Sequence, residues 1–505
     1  MIPGVIRRTA FRGVHFSGLA LLVAGAVLAC ASNPVTRRPD VVLVSEAEEI
    51  RRGDDGAVVV AEEMGLVSDP RFSALATEVG RRVVSKAPER AHGYAFEVVD
   101  LPEPNAFALP GGHIYVSRGL LVLVNSEDEL ANVLSHEVVH VAGRHHAQRH
   151  TRAAGVGLLI LPGRLVGGLI GGPVGRLVSA PFTAVGVGAL ASYSRGQELE
   201  ADDYGQRLAA DAGYDPGALA TFLRTLEREE QLAADAADEP GWLDTHPSIP
   251  RRVAAAEKRA GSLTPDAPLA PRDRAVFLRR LDGLVVGEDP AAGLFEGPSF
   301  LHPDLDFTLV FPEGWETSNT RLAVGAAAPD GKAEVVLRYQ GQGTDAREAA
   351  NGFLAETAKH ARLEVARLDA IDLNGRAAVH AIVVLRAPTG VATLDLTWIV
   401  HGGAVYLLTG AVEKRYTDSH RALFAAVAES FASLDANQRA GIRETRLRLR
   451  TAHAGESLAA FGRRTASAWA PRELAAANGL PEDAVLREGE LLKVAISQPY
   501  RPGVQ

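Results

Sequence analysis

The residues with the most chemical content in this chain are His136-Glu137-Val138-Val139-His140. On a helix, side chains four apart share a face, so both imidazoles can reach one divalent ion. Glu137, beside the first of them, then leans over a coordination position left for water. The chemistry this pattern allows is metal-assisted hydrolysis, with Glu137 taking and returning a proton. Two ligands do not complete a site, and the third must come from elsewhere in the chain.

The stretch to His146 also fits the longer spacing HExxHxxGxxH through Gly143 and His146, a metzincin pattern. That pattern needs a downstream methionine turn, and the only methionines, Met1 and Met64, precede the motif. His145, His146 and His150 are therefore expected to be polar surface or groove residues. A better donor lies in Ser194-Arg195-Gly196-Gln197-Glu198-Leu199-Glu200-Ala201-Asp202. If this is a helix, Glu198 and Asp202 share a face and Glu200 is turned about 200° away. Glu198 can then bind the metal as a third ligand, with Asp202 placed behind it to accept the other N–H of a ligating histidine. Glu200 and Asp203 are expected on the solvated face. An N₂O donor set favours zinc.

Several elements must position these groups. Residues 45 to 86 show amphipathic helical spacing broken near Asp69-Pro70, and 94 to 99 and 113 to 116 read as strands. The motif helix starts at Ser126, with Glu129 three residues on as a capping box. Residues 155 to 193 are Gly-rich and apolar, which favours loops and short buried helices, with a membrane span as the alternative. Charged helices run to Gly261, and 262 to 297 looks like a linker holding one short helix. From 305 the pattern is α+β, with strands at 305–311, 333–339, 377–386, 391–401 and 404–411 and helices near 345–363 and 417–434. The last segment, 446 to 496, begins and ends with strands.

The length of 505 residues predicts about three domains. At 47% hydrophobic and 23% charged, neither disorder nor a multi-span membrane protein fits. The net charge of -9 leaves no basic stripe for phosphates, so no nucleic-acid partner is expected. One cysteine, Cys30, excludes an intrachain disulfide and a cysteine metal cage. Arg7, Arg8 and Arg12 precede an apolar run from Phe16 to Ala29, which suits a signal peptide. Val27-Leu28-Ala29-Cys30 resembles a bacterial lipobox, which implies lipidation at Cys30, and Ala31 leans toward the outer membrane.

HEVVH followed by SRGQELEAD resembles the gluzincin family that contains HtpX, the CAAX prenyl proteases and BepA-like peptidases. Further matches are Asn105-Ala106-Phe107-Ala108-Leu109-Pro110-Gly111-Gly112-His113 and Thr245-His246-Pro247 with Arg252. The resemblance implies one zinc on His136, His140 and Glu198, Glu137 as base, and Asp202 supporting the ligands. It also implies His246 as a regulatory or oxyanion-stabilising group, and His113, Ile114, Tyr115 and Val116 as a substrate-side edge strand. The substrates implied are misfolded or stalled envelope proteins. Phe311-Pro312-Glu313-Gly314-Trp315 resembles the opening of PsbP/Mog-like domains, and the last segment resembles a LysM βααβ module, which implies peptidoglycan binding.

The expected architecture is multidomain α+β. A signal peptide at 1–29 precedes Cys30, a mainly helical zincin-type domain with a small edge sheet spans 31–261, and a linker spans 262–297. A PsbP/Mog-like domain at 298–436 and a LysM-like unit at 443–497 follow. The rival reading is a lipid-anchored, glycan-binding scaffold or chaperone with an idle metal site. A third, an integral membrane protease, depends on 155–194 crossing a bilayer.

Overall fold

The computed structural model describes residues 30–149, 193–234, 246, 249–263, 269, 272–359, 362–387, 390–413 and 417–503. The leader, His150 and the Gly-rich run up to residue 192 lie outside them. Among the described residues no helix is long and apolar enough to cross a membrane.

A short hairpin comes first, β1 (Cys30–Ser32) against β2 (Pro39–Val41). Helices α1 (Glu46–Glu63) and α2 (Pro70–Val84) follow, separated where Asp69 caps α2 and Pro70 occupies its first turn. Strands β3 (Ala95–Val99), β4 (Ala106–Ala108) and β5 (His113–Ser117) form a sheet in the order β3-β5-β4. This corrects the expected edge strand. His113–Val116 pairs with β3 on one side and β4 on the other, so its backbone groups are already used. The edges are β3 and β4, the latter a three-residue strand too short to stand out in the sequence.

After α3 (Arg118–Leu123) comes the motif helix α4 (Glu127–Ala142), buried from Glu129 to its end. Ser126 Oγ accepts from the Glu129 N–H at 3.1 Å, as expected, while the Glu129 carboxylate takes the N–H of Asn125 at 2.6 Å. Three acidic residues in the first turn complement the helix dipole. Helix α5 (Arg195–Asp211), started by a Ser194/Gln197 capping box, crosses α4 closely. At Gly205 a Cβ would stand 3.1 Å from the backbone N of His136, so a side chain there would push the two helices apart by a few tenths of an ångström. Helices α6 (Ala218–Ala234) and α7 (Ile249–Ala260) complete this half.

The supposed linker is a packed element. In α8 (Arg274–Leu281) and just beyond, Phe277, Leu278, Leu281 and Leu284 join the core formed by Phe72, Leu75, Val79, Leu134, Val138 and Phe222. Each such burial contributes about 1.5–3 kcal/mol relative to exposure. Composition read as a linker because Pro and Asp flank this short apolar helix.

Strands β6 (Leu294–Glu296), β7 (Ser299–His302) and β8 (Phe307–Val310) form a small sheet. Beside it lies a seven-stranded antiparallel sheet of β9 (Glu316–Thr320), β10 (Ala323–Ala327), β11 (Ala333–Gln342), β12 (Arg362–Leu373), β13 (Arg376–Ala387), β14 (Gly390–His401) and β15 (Ala404–Glu413), ordered β12-β13-β14-β15-β11-β10-β9. Alternation along β15 serves two cores. Val405 and Leu407 face α9 (Ala346–Ala358), whereas Tyr406 and Leu408 face α10 (Thr417–Glu429). The helix expected over 345–363 stops at Ala358.

After α11 (Ala436–Gly441), the chain ends in a βααβ unit. It comprises β16 (Arg443–Thr451), α12 (Leu458–Thr465), α13 (Pro471–Asn478) and β17 (Leu491–Pro499), with β16 and β17 antiparallel. The unit is fused to the helical half. Leu447 exchanges backbone hydrogen bonds with Gly283 and Leu284, and buried Lys493 donates from Nζ to the carbonyls of Val122 and Val124 at 2.6 and 2.9 Å.

Candidate metal centre and active site

Helices α4 and α5 bring the two distant motifs together. His136 Nε2 and His140 Nε2 lie 3.0 Å apart, and Glu198 presents Oε2 at 3.6 Å from the first and Oε1 at 3.4 Å from the second. His246 adds a third imidazole, its Nδ1 3.0 Å from Glu198 Oε2 and 3.3 Å from His136 Nε2. One donor atom from each of these four buried residues lies within 4.8 Å of all the others. The sequence placed His246 beside the metal; here it stands within the donor cluster.

The donor chemistry fits zinc. His136 Nδ1 is 3.1 Å from Asp202 Oδ1 and His140 Nδ1 is 2.8 Å from His145 Nδ1, so each Nε2 is left facing a common point. Neither oxygen of Glu137 has a hydrogen-bond partner among the described residues, although both are buried; Oε1 is 3.6 Å from His246 Nε2. A buried carboxylate without partners costs several kcal/mol unless an ion or water meets it. His136, His140 and Glu198 would hold the ion, as the sequence reading proposed, and Glu137 lies beside His246 of the same cluster.

Electrostatics follow from burial and pairing. Burial pushes the Glu137 carboxyl above its ordinary range against the pull of His246 and His136. Burial also drives His140 well below the usual histidine value. For Glu198 burial acts upward, but His246, His136 and the hydrogen bond with His140 outweigh it and hold the carboxyl well below the usual range. Burial would lower His246, yet the charge and hydrogen bond of Glu198 raise it. Asp202, against its burial, is held at about 2 by Arg252 and His136.

Sequence reasoning missed five participants. Arg252, noted only as a matching residue, is fully buried and pairs with Asp202 and with Glu198 at 2.9 Å. Tyr193 stacks on the His140 ring at 3.6 Å, its hydroxyl 2.6 Å from His146 Nε2. His145 and His146, expected at the surface or in a groove, are 0% and 5% exposed. Glu200, assigned to the solvated face, lies 3.2 Å from His145 Nε2. The Arg-His-His run at 144–146, just past the motif helix, was the available signal for His145. Tyr193 adjoins a segment with no periodicity to place it. The expected strand residues His113–Val116 stand behind β4 instead, and it is the carbonyl of Ala106 on β4 that approaches His246 Nε2, at 3.4 Å.

Comparison with known proteins agrees with this geometry. The chain is 28% identical to the beta-barrel assembly-enhancing protease of Escherichia coli K12 over 258 residues, 49% of this chain and 52% of that one. It is 29% identical to the mitochondrial metalloendopeptidase OMA1 of Schizosaccharomyces pombe over 230 residues, 45% of this chain and 65% of that one. The chain spans about half the length of the curated relatives it matches. Among solved structures, cyanobacterial PsbP from Synechocystis aligns with 28% of this chain and 95% of its own, at 12% identity and a TM-score of 0.25. Residues 72–260 match Peptidase family M48, so this stretch of the chain is similar to a family of zinc metallopeptidases.

Proposed function

We propose that the chain is a zinc-dependent endopeptidase of the bacterial cell envelope that cleaves misfolded or stalled envelope proteins. The observation that carries the reading is the convergence of His136, His140 and Glu198 beside the buried Glu137 carboxylate, whose oxygens have no hydrogen-bond partner among the described residues. The named relatives, a beta-barrel assembly-enhancing protease and a mitochondrial metalloendopeptidase, support peptide-bond hydrolysis and an envelope substrate class.

Bound zinc supplies Lewis acidity, polarising a substrate carbonyl and lowering the pKa of water. The protein does the rest. Glu137, its carboxyl unneutralised by any hydrogen bond, takes the water proton and passes it to the leaving amine. Asp202 holds His136 by Nδ1, and Arg252 holds Asp202. Because β4 is an edge strand of the sheet and its Ala106 carbonyl lies 3.4 Å from His246 Nε2, an extended peptide pairs with residues 106–108 by strand addition. Backbone pairing makes accessibility of the substrate chain count for more than its sequence. His246, close to Glu137, is the group that releases or stabilises the site during turnover.

Lipidation at Cys30 would tether the protein to the outer membrane, and the βααβ unit at 443–497 would bind peptidoglycan, its 453–457 and 481–489 loops being largely exposed. The test is cleavage of casein by the purified protein and its Glu137→Gln variant, with zinc content measured for both. One zinc per chain in each, with activity reduced at least about 1000-fold in the variant, is expected for the loss of an essential base. Undiminished cleavage by Glu137→Gln overturns the reading.

A further inference from the structure

The two ligating histidines are supported in different ways. His136 leans directly on a carboxylate, Asp202. His140 reaches one only through another imidazole: His140 Nδ1 is 2.8 Å from His145 Nδ1, and His145 Nε2 is 3.2 Å from Glu200 Oε1. The chain of contacts has one consistent proton arrangement. With Nε2 of His140 directed at the donor cluster, its Nδ1 carries the proton and donates to His145 Nδ1. His145 Nε2 then carries the next proton and donates to Glu200.

Glu200 is itself held. Asn33 Nδ2 donates to the same Oε1 at 3.1 Å, and Asn33 is fixed because its Oδ1 accepts from the N–H groups of Val35 and Thr36 at 2.9 and 3.1 Å. Asn33 Nδ2 also lies 3.0 Å from Asp40 Oδ2, which accepts from Gln148 Nε2 at 2.8 Å. His145 and Asn33 are 0% and 4% exposed and Glu200 keeps 24% of its side chain exposed, so these bonds are partly shielded from water.

We propose that Glu200 is a positioning residue for the metal ligand His140, acting through His145, and that Asn33 in the β1–β2 hairpin holds Glu200 in place. The inference rests on the zinc-site reading above. It implies that the segment directly following Cys30 takes part in setting zinc affinity. A carboxylate relayed through an imidazole fixes the tautomer and ring angle of a ligand as a direct one does, and loss of such support typically costs 10- to 100-fold in metal affinity.

The experiment is zinc dissociation by chelator competition on the full chain, with thermal unfolding of each metal-free protein alongside. Glu200→Ala is expected to weaken zinc about 10- to 100-fold with little change in metal-free melting, and Asn33→Ala several-fold. Glu200→Gln, whose amide oxygen accepts both bonds, is expected within threefold of the parent. Asp203→Ala, on the neighbouring ion pair with Arg207, should leave affinity unchanged. Glu200→Ala within threefold of the parent, or Glu200→Gln as weak as Glu200→Ala, overturns the proposal. Glu198→Ala separates the two readings. If it abolishes zinc binding while Glu200→Ala does not weaken it, only the relay fails; if parent and Glu198→Ala bind zinc alike, the metal centre fails and the relay with it.

Discussion

Arg252 and Asp202 are joined by two hydrogen bonds of 2.8 Å in a part of the protein that water does not reach. The fork of the guanidinium matches the carboxylate, and a further nitrogen meets Glu198. Removing it strands two buried carboxylates. Arg252→Ala should therefore destabilise the protein by about 3–5 kcal/mol in chemical denaturation, with Arg252→Lys intermediate because a point charge cannot grip both oxygens. Equal stability of Arg252→Ala and the parent would show the pair to be dispensable.

Removing the metal should expose the cost of gathering three imidazoles and two carboxylates. Binding that favours only the folded state adds stability through mass action, about 4 kcal/mol at a thousandfold excess over Kd. Chelation is expected to lower the melting temperature of the parent and to leave that of Glu198→Ala, which cannot hold zinc, unmoved. Differential scanning calorimetry with and without chelator reads this directly.

Acid should weaken the all-antiparallel half through His302. Burial lowers this imidazole from its ordinary value of 6.5 to about 4. The unfolded chain takes up its proton near pH 6.5, the folded chain not until about pH 4, so between these values the unfolded state binds more protons. Stability from this group is complete above pH 6.5 and falls as pH drops through the window, by about 3 kcal/mol in all. Urea unfolding at pH 7 and pH 4.5 should show a larger loss for the parent than for His302→Gln; equal losses would contradict the assignment.

Lys493 tests the attachment of the C-terminal unit. Lys493→Met fills similar volume but leaves the Val122 and Val124 carbonyls without their donor, at about 1–3 kcal/mol each. Faster amide exchange in α13 and β17, with α9 and α10 unaffected, is the expected result.

The sequence carried the metal centre well because helical spacing is a local rule. His136, His140, Glu198 and Asp202 stand where a period of 3.6 residues puts them, and the Asp69-Pro70 break and Ser126 cap are likewise local. What was hidden depends on contacts far apart in sequence. Nothing near Glu200 announces Asn33, 167 residues earlier, as its partner. Strand β4 has only three residues, so the edge was assigned to its longer neighbour β5. The 274–284 segment looked like a tether because its four buried apolar residues meet partners on α2, α4 and β16.

That last feature limits how the molecule can move. With Phe277, Leu278, Leu281 and Leu284 interlocked with the helical half and with Leu447, this helix moves with that half and not as a swivel. Bending between the helical half and the seven-stranded sheet must then come from residues beyond 284, outside this helix.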